Sequence, residues 1–91
     1  MSLELYEDEV ILAMYDHQII RYDYLAIEKI ASKIKWRDIA NKYKIKKSFG
    51  KVMRHLANKG YVSDQGKSGA VYSLTDLGVF YASGRSKERD G

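Results

Sequence analysis

Ninety-one residues, 45% of them hydrophobic and 31% charged, suit a single folded domain with one modest core rather than a disordered chain. The absence of cysteine excludes disulfides, thiolate metal sites and a cysteine nucleophile, and two histidines far apart in sequence, His17 and His55, make no metal site. The formal net charge of +4 conceals an asymmetry: residues 33–59 hold ten Lys or Arg and one acid, Asp38, while residues 1–32 hold seven acids and two bases and residues 60–91 hold four of each. A positive field so concentrated attracts a polyanion, because each phosphate that it neutralises releases condensed counterions. The longest apolar run near the N-terminus, residues 10–15, is far too short to span a bilayer and no basic leader precedes it, so an intracellular, soluble protein is expected. Lysine and isoleucine richness without Cys or Pro points mildly to a thermophilic source.

In chain order, a first helix is predicted over residues 5–17. Tyr6, Val10, Ala13, Met14 and His17 line one side and Leu5, Leu12 and Ile19 a second, with Ile11 and Tyr15 widening the apolar surface. Glu7, Asp8 and Glu9 fall in its first turns, where the helix dipole favours negative charge. So broad an apolar surface requires either deep burial or a partner chain. A second helix is predicted over residues 24–33, with Asp23 as its N-cap and Ile27, Ile30, Ala31 and Ile34 at helical spacing. Trp36, Ile39, Ala40 and Tyr43 repeat that spacing in a short third helix over residues 36–43, although no Gly or Pro marks the boundary at residues 32–35. A fourth helix follows over residues 47–58, with Gly60 as its C-cap.

After Gly60 the period changes. Residues 61–63 and 71–74 read as two strands joined by a hairpin loop containing Gly66 and Gly69. Thr75 then caps a last short helix through about residue 82, closed by Gly84, and residues 85–91 are expected as a flexible polar tail. The expectation is one domain over residues 1–84, mainly α with a small β-hairpin (α+β): a winged helix-turn-helix.

On the fourth helix Phe49, Val52, Met53 and Leu56 fall within about 100° of arc, a core stripe. Opposite lie Lys47, Lys51, Arg54 and Asn58, flanked by Ser48, His55 and Gly50, with no acid. Such a face suits the major groove, where Arg forks onto guanine, Asn onto adenine, and Lys and Ser reach phosphates or bases. Gly50 in mid-helix costs about 1 kcal/mol of propensity relative to Ala. Its expected reason is close approach, to the preceding helix or to DNA.

The run Arg37-Asp38-Ile39-Ala40-Asn41-Lys42-Tyr43-Lys44-Ile45 followed by residues 48–62 resembles the helix-turn-helix of winged-helix transcription regulators. An Ile-Ala helix and a short turn lead to a basic helix and a Leu-Ala-Asn-Lys-Gly-Tyr-Val exit into the wing. Tyr72-Ser73-Leu74-Thr75-Asp76-Leu77-Gly78 is similar to the exit from the wing in the MarR and PadR regulator families and in small archaeal or archaeal-virus winged-helix proteins. The resemblance covers about residues 36–84 and departs from those families in expecting no long PadR-type last helix and no effector domain. It implies a sequence-specific regulator that binds double-stranded DNA in the nucleoid, the recognition helix over residues 47–58 and the wing over residues 61–74. A shorter likeness, residues 44–48 through 59–62, is to a small winged-helix ribosomal protein, whose lysine-rich start this acidic N-terminus lacks. A protein–protein docking module is the other alternative.

The residues expected on DNA are Arg37, Lys46, Lys47, Ser48, Lys51, Arg54, His55 and Asn58, with Lys67 and Ser68 at the wing tip. Trp36 is expected as a core anchor and Tyr72 as half-buried core. A homodimer is expected through Leu5, Leu12, Tyr15 and Ile19 of the first helix with Phe80 and Tyr81 of the last. No nucleophile motif or phosphate cradle appears, so neither catalysis, a cofactor nor a small-molecule ligand is expected.

Overall fold

Helical spacing as far as residue 58, a change of period at Gly60 and a final helical run yield eight elements in the computed structural model. They are α1 (Leu5–Asp16), β1 (Leu25–Ala26), α2 (Ile27–Ile34), α3 (Trp36–Tyr43), α4 (Phe49–Asn58), β2 (Val62–Asp64), β3 (Val71–Leu74) and α5 (Asp76–Asp90). Residues 3–64 and 71–90 are described, the side chains of residues 86–90 excepted. Among them the protein is mainly helical, with one small antiparallel sheet of strand order β1-β3-β2, compatible with an α+β fold.

α1 is the central element and packs on α2, α3, α5 and β3. It starts at a capping box in which the Glu4 amide donates to Glu7 Oε1 at 2.9 Å. Val10, Ile11 and Met14 are fully buried, but so nearly are Leu12 and Ile19, at 6% and 1% exposure. Leu12 faces a cleft shared with Ile34 and Ile39. On the second apolar side of α1, Leu12 and Ile19 are thus covered by the chain itself, which corrects the expectation that they meet a partner, while Leu5 stays exposed. The stripe Phe49, Val52, Met53 and Leu56 is buried as its spacing predicts.

The helix ends share one device. Gln18, Lys35 and Lys44 take left-handed backbone conformations, with φ of 58°, 59° and 56°, and Gly60 one of 90°. After α1 the amides of Gln18 and Ile19 donate to the carbonyls of Tyr15 and Met14 at 3.0 and 2.9 Å. After α3 those of Lys44 and Ile45 reach Asn41 and Ala40, and after α4 those of Gly60 and Tyr61 reach Ala57 and Leu56. Only the last of these carries glycine, the residue that adopts this conformation without steric cost. The corner between α2 and α3 therefore lies at Lys35, where composition gives no signal.

Leu25 and Ala26, expected inside the second helix, instead pair with Tyr72 and Val71 as a third strand. α2 begins at Ile27 behind an extended Ala26, and Asp23 is not its N-cap. The pairing satisfies backbone groups along β3 that no element of the predicted hairpin could reach. The preceding loop is held to the same strand, with the Arg21 amide on the Leu74 carbonyl at 2.8 Å and the Leu74 amide on the Ile19 carbonyl at 2.9 Å.

The Leu-Thr-x-x-Gly sequence is explained by close packing of α5. Thr75 Oγ1 accepts from the Gly78 amide at 3.1 Å, capping the helix, and donates to the Gly60 carbonyl at 2.6 Å. A Cβ on Gly78 would stand 2.2 Å from the Tyr61 carbonyl oxygen. α5 then continues through Gly84 to Asp90, the longest helix here, where a short helix and a tail from residue 85 were expected. An isolated glycine weakens a helix without ending it. The Tyr81 hydroxyl donates to Asp8 Oδ1, Arg85 Nε lies 3.3 Å from the same oxygen, and the Tyr81 ring meets Tyr61 edge-on at 5.5 Å. Burial, then the bond to Asp8 and its charge, push the Tyr81 hydroxyl up to about 12.

Two outcomes follow from this packing. Gly78→Ala should lower stability by about 1–3 kcal/mol, since backbone must shift. Gly50→Ala should raise it by up to about 1 kcal/mol, since a Cβ there meets only Ser48 Oγ, at 4.0 Å. Denaturant midpoints check the opposite signs, and equal effects would contradict the packing. For Tyr81 the neutral form is favoured on folding, so its stabilisation is complete below pH 10 and is lost as pH rises towards about 12. NMR titration of the eight tyrosines should show one near that value, and Tyr81→Phe should remove it.

Candidate nucleic-acid interface

α4 begins later than its charge pattern predicts. Ser48 is the N-cap, its Oγ accepting from the Lys51 amide at 3.3 Å, so the helix starts at Phe49 and Lys47 lies in the preceding turn. A polar residue at this position takes a backbone donor that the helix leaves unsatisfied. From there Lys51, Arg54, His55 and Asn58, at i, i+3, i+4 and i+7, are all exposed opposite the buried Val52, Met53 and Leu56. α4 contains no acid. Neither Lys51 nor Arg54 makes an ion pair among the described residues.

The turn from α3 to α4 adds more positive charge. Lys44, Lys46 and Lys47 are exposed there, and with Glu4, Tyr6 and Ile45 they line one open cleft. Lys47 Nζ sits 5.8 Å from the Tyr6 ring centroid and donates to its hydroxyl at 3.2 Å, so the turn is tied to α1 while its charge stays in water. Arg37 is exposed in the first turn of α3. Lys67 and Ser68 lie outside the described residues.

Two of the ten cations are unavailable. Lys59 Nζ lies 2.8 Å from Glu7 Oε1, the side chains 20% and 2% exposed, and Lys42 Nζ lies 2.6 Å from Glu9 Oε1. The Tyr43 hydroxyl donates to the same Glu9 oxygen at 2.8 Å. The bond from Lys42 holds the Glu9 carboxyl below its ordinary range against the opposing effect of burial, and the same bond raises Lys42. The acids of α1, read from sequence as partners of the helix dipole, also neutralise the inner edge of the basic segment.

β2 packs on α4. Asp64 stands opposite Tyr72 across β2 and β3; burial raises the Tyr72 hydroxyl above its ordinary range, the Asp64 charge adds to the rise and the Arg54 charge opposes it. Tyr72 is 4% exposed, more deeply buried than expected, and Asp64 brings one acid near a face that the α4 sequence shows as free of them. Two glycine and aromatic readings also change. Among the described residues no close packing explains Gly50, and Trp36 is half-buried against the edge of the core, its ring 5.0 Å from that of Phe49. Lys35 and Lys44 escaped the sequence reading because nothing in a lysine announces a left-handed corner.

The described residues contain no group of three or more His, Asp or Glu able to hold a metal ion, and no helix long and apolar enough to cross a membrane.

The Glu7–Lys59 pair should be strongly coupled. Lys59→Ala, which leaves a buried carboxylate without its cation, should cost about 3–5 kcal/mol. Glu7→Gln combined with Lys59→Met, which keeps an acceptor for the Glu4 amide, should recover much of that loss. Additive single and double effects in denaturant unfolding would exclude the coupling.

Comparison of the chain with protein-family models, with curated proteins and with solved structures found no match.

Proposed function

We propose that the chain is a winged helix that binds double-stranded DNA and regulates transcription. α4 is the recognition helix in the major groove, and β2 and β3 flank a wing that reaches the backbone or the minor groove. One observation carries the reading: Lys51, Arg54, His55 and Asn58 form an exposed face, to which α4 itself contributes no acid, directly opposite a buried stripe on the same helix. A helix so divided is fixed in rotation by its core side, and its other side offers donors suited to base edges and phosphates. The tight left-handed turn at Lys44 and the packing of β2 on α4 support the same arrangement.

The homodimer is kept with a changed surface. Leu77 and Phe80, one turn apart on α5, are 48% and 79% exposed, and Leu5 is 70% exposed. Tyr81 turns inward to Asp8, and Tyr15 is half-buried. A twofold contact through Leu77 and Phe80 would present two copies of α4 to two half-sites, which twofold DNA-binding dimers occupy.

Selection of bound duplexes from a random library, followed by affinity and mass measurements, tests the reading. Lys51→Ala and Arg54→Ala should each weaken binding by about 1–3 kcal/mol, with relaxed specificity at one position where a base is read. Binding should fall steeply with salt, and two copies should occupy each selected site. Parental affinity in both variants would exclude this face. Salt-insensitive binding would favour the docking-module alternative, and one copy per site would remove the dimer.

A further inference from the structure

Among the described residues four large apolar side chains stand exposed, and the start of α5 gathers three of them. Leu77 and Phe80 lie in its first two turns, and Tyr22, 90% exposed, lines one surface cleft with Arg21 and Asp76. An ion pair makes the link. Arg21 Nε lies 3.0 Å from Asp76 Oδ1, and Asp76 stands one turn before Phe80 on the same face of α5, next to Leu77. The loop that carries Tyr22 is fixed from behind by β3. The Arg21 amide donates to the Leu74 carbonyl at 2.8 Å, and the Arg21 carbonyl accepts from Ser73 Oγ. A patch held in this way loses little freedom when it is covered.

The Arg21 and Asp76 side chains are 54% and 90% exposed, so water screens their pair in the free protein. Covered by a partner, each charge requires an opposite one close by. A cation and an anion side by side on an apolar patch are complementary to the same patch turned about a twofold axis, because such a contact is reciprocal. A partner charged with one sign would oppose one of the two. Residues 60–91, which supply α5, hold four bases and four acids, so a second copy meets no like-charged segment there, as it would on the basic face of α4. We propose that a second copy of the chain covers this patch, with Arg21 of each copy on the partner's Asp76 around Tyr22, Leu77 and Phe80. The pairing rests on the twofold contact proposed above and adds to it the residues that select the partner.

Exchanging the two charges tests the pairing. A chain with both Arg21→Asp and Asp76→Arg keeps one opposite pair within each copy, and Asp tolerates the left-handed backbone of position 21, where φ is 52°. It should dimerise with itself. Against the parent it brings acid to acid and base to base, so mixed dimers should form about tenfold less than random mixing gives, as native mass spectrometry of an isotope-labelled mixture reads. The single variants Arg21→Asp and Asp76→Arg should each lose the homodimer, and their equal mixture should regain a dimer of one copy of each. Random mixing of parent with the exchanged chain, or a single-variant mixture that stays monomeric, excludes the pairing and leaves the contact through Leu77 and Phe80 standing. Phe80→Asp reads that contact separately: a dimer that survives it, or a monomeric parent, excludes contact and pairing together.

Discussion

A carboxylate is buried only where something compensates its lost hydration, and Glu7, 1% exposed, is the residue that imposes this condition on the fold. Its Oε1 accepts from the Glu4 amide and from Lys59 Nζ, so one atom both caps α1 and holds the far end of α4. Lys59 is the C-cap of α4, where the helix dipole also favours a cation. The other end of α4 is held by the packing of Phe49 on Trp36. Between these two fixed ends Val52, Met53 and Leu56 enter the core. The rotation of α4 about its axis, and hence the identity of the residues it offers to solvent, is decided by contacts made on its inner side.

The same arrangement sorts the charges. Glu7 and Glu9 take Lys59 and Lys42, the cations that face α1, and leave those at the α2–α3 corner, in the turn before α4 and on its outer face. An exposed pair such as Lys42–Glu9 adds little to stability, because water screens it. Its larger effect is on the field, because a cation beside a carboxylate contributes little at a distance. A sequence count over residues 33–59 therefore overstates the charge available to a partner and understates how directional that charge is.

What could be read in advance followed from periodicity. Phe49, Val52, Met53 and Leu56 announce both sides of α4, because burial and exposure alternate with the helical repeat and neither depends on distant residues. The change of period after Gly60 marked β2 and β3 for the same reason. What escaped were features set by partners remote in sequence or by backbone states that several residues tolerate. Leu25 and Ala26 become a strand only because Tyr72 and Val71 lie beside them. Gln18, Lys35 and Lys44 adopt a glycine-like conformation with ordinary side chains. Leu12 and Ile19 were given to a partner because one small core was expected to use one side of α1, whereas a central helix is covered on several. Gly84 was read as a stop, but Tyr81 and Arg85 on Asp8 hold α5 against α1 across that position.

The two helical glycines separate what the fold requires from what it merely permits. At Gly78 any larger residue meets the Tyr61 carbonyl, so the glycine is a condition for docking α5 on the sheet. At Gly50 a Cβ would meet only Ser48 Oγ, at 4.0 Å, although a helix with glycine there is less stable than one with alanine by up to about 1 kcal/mol. No packing contact within the described chain offsets that loss. Gly50 lies in the first turn of α4, between the N-cap Ser48 and the exposed Lys51. In the proposed complex the first turn of a recognition helix enters the groove most deeply, and an absent side chain lets backbone approach backbone. On that reading the helix is weakest by propensity at the point where the partner comes nearest, and the stability forgone in the free protein is offset by contacts that only the complex contains.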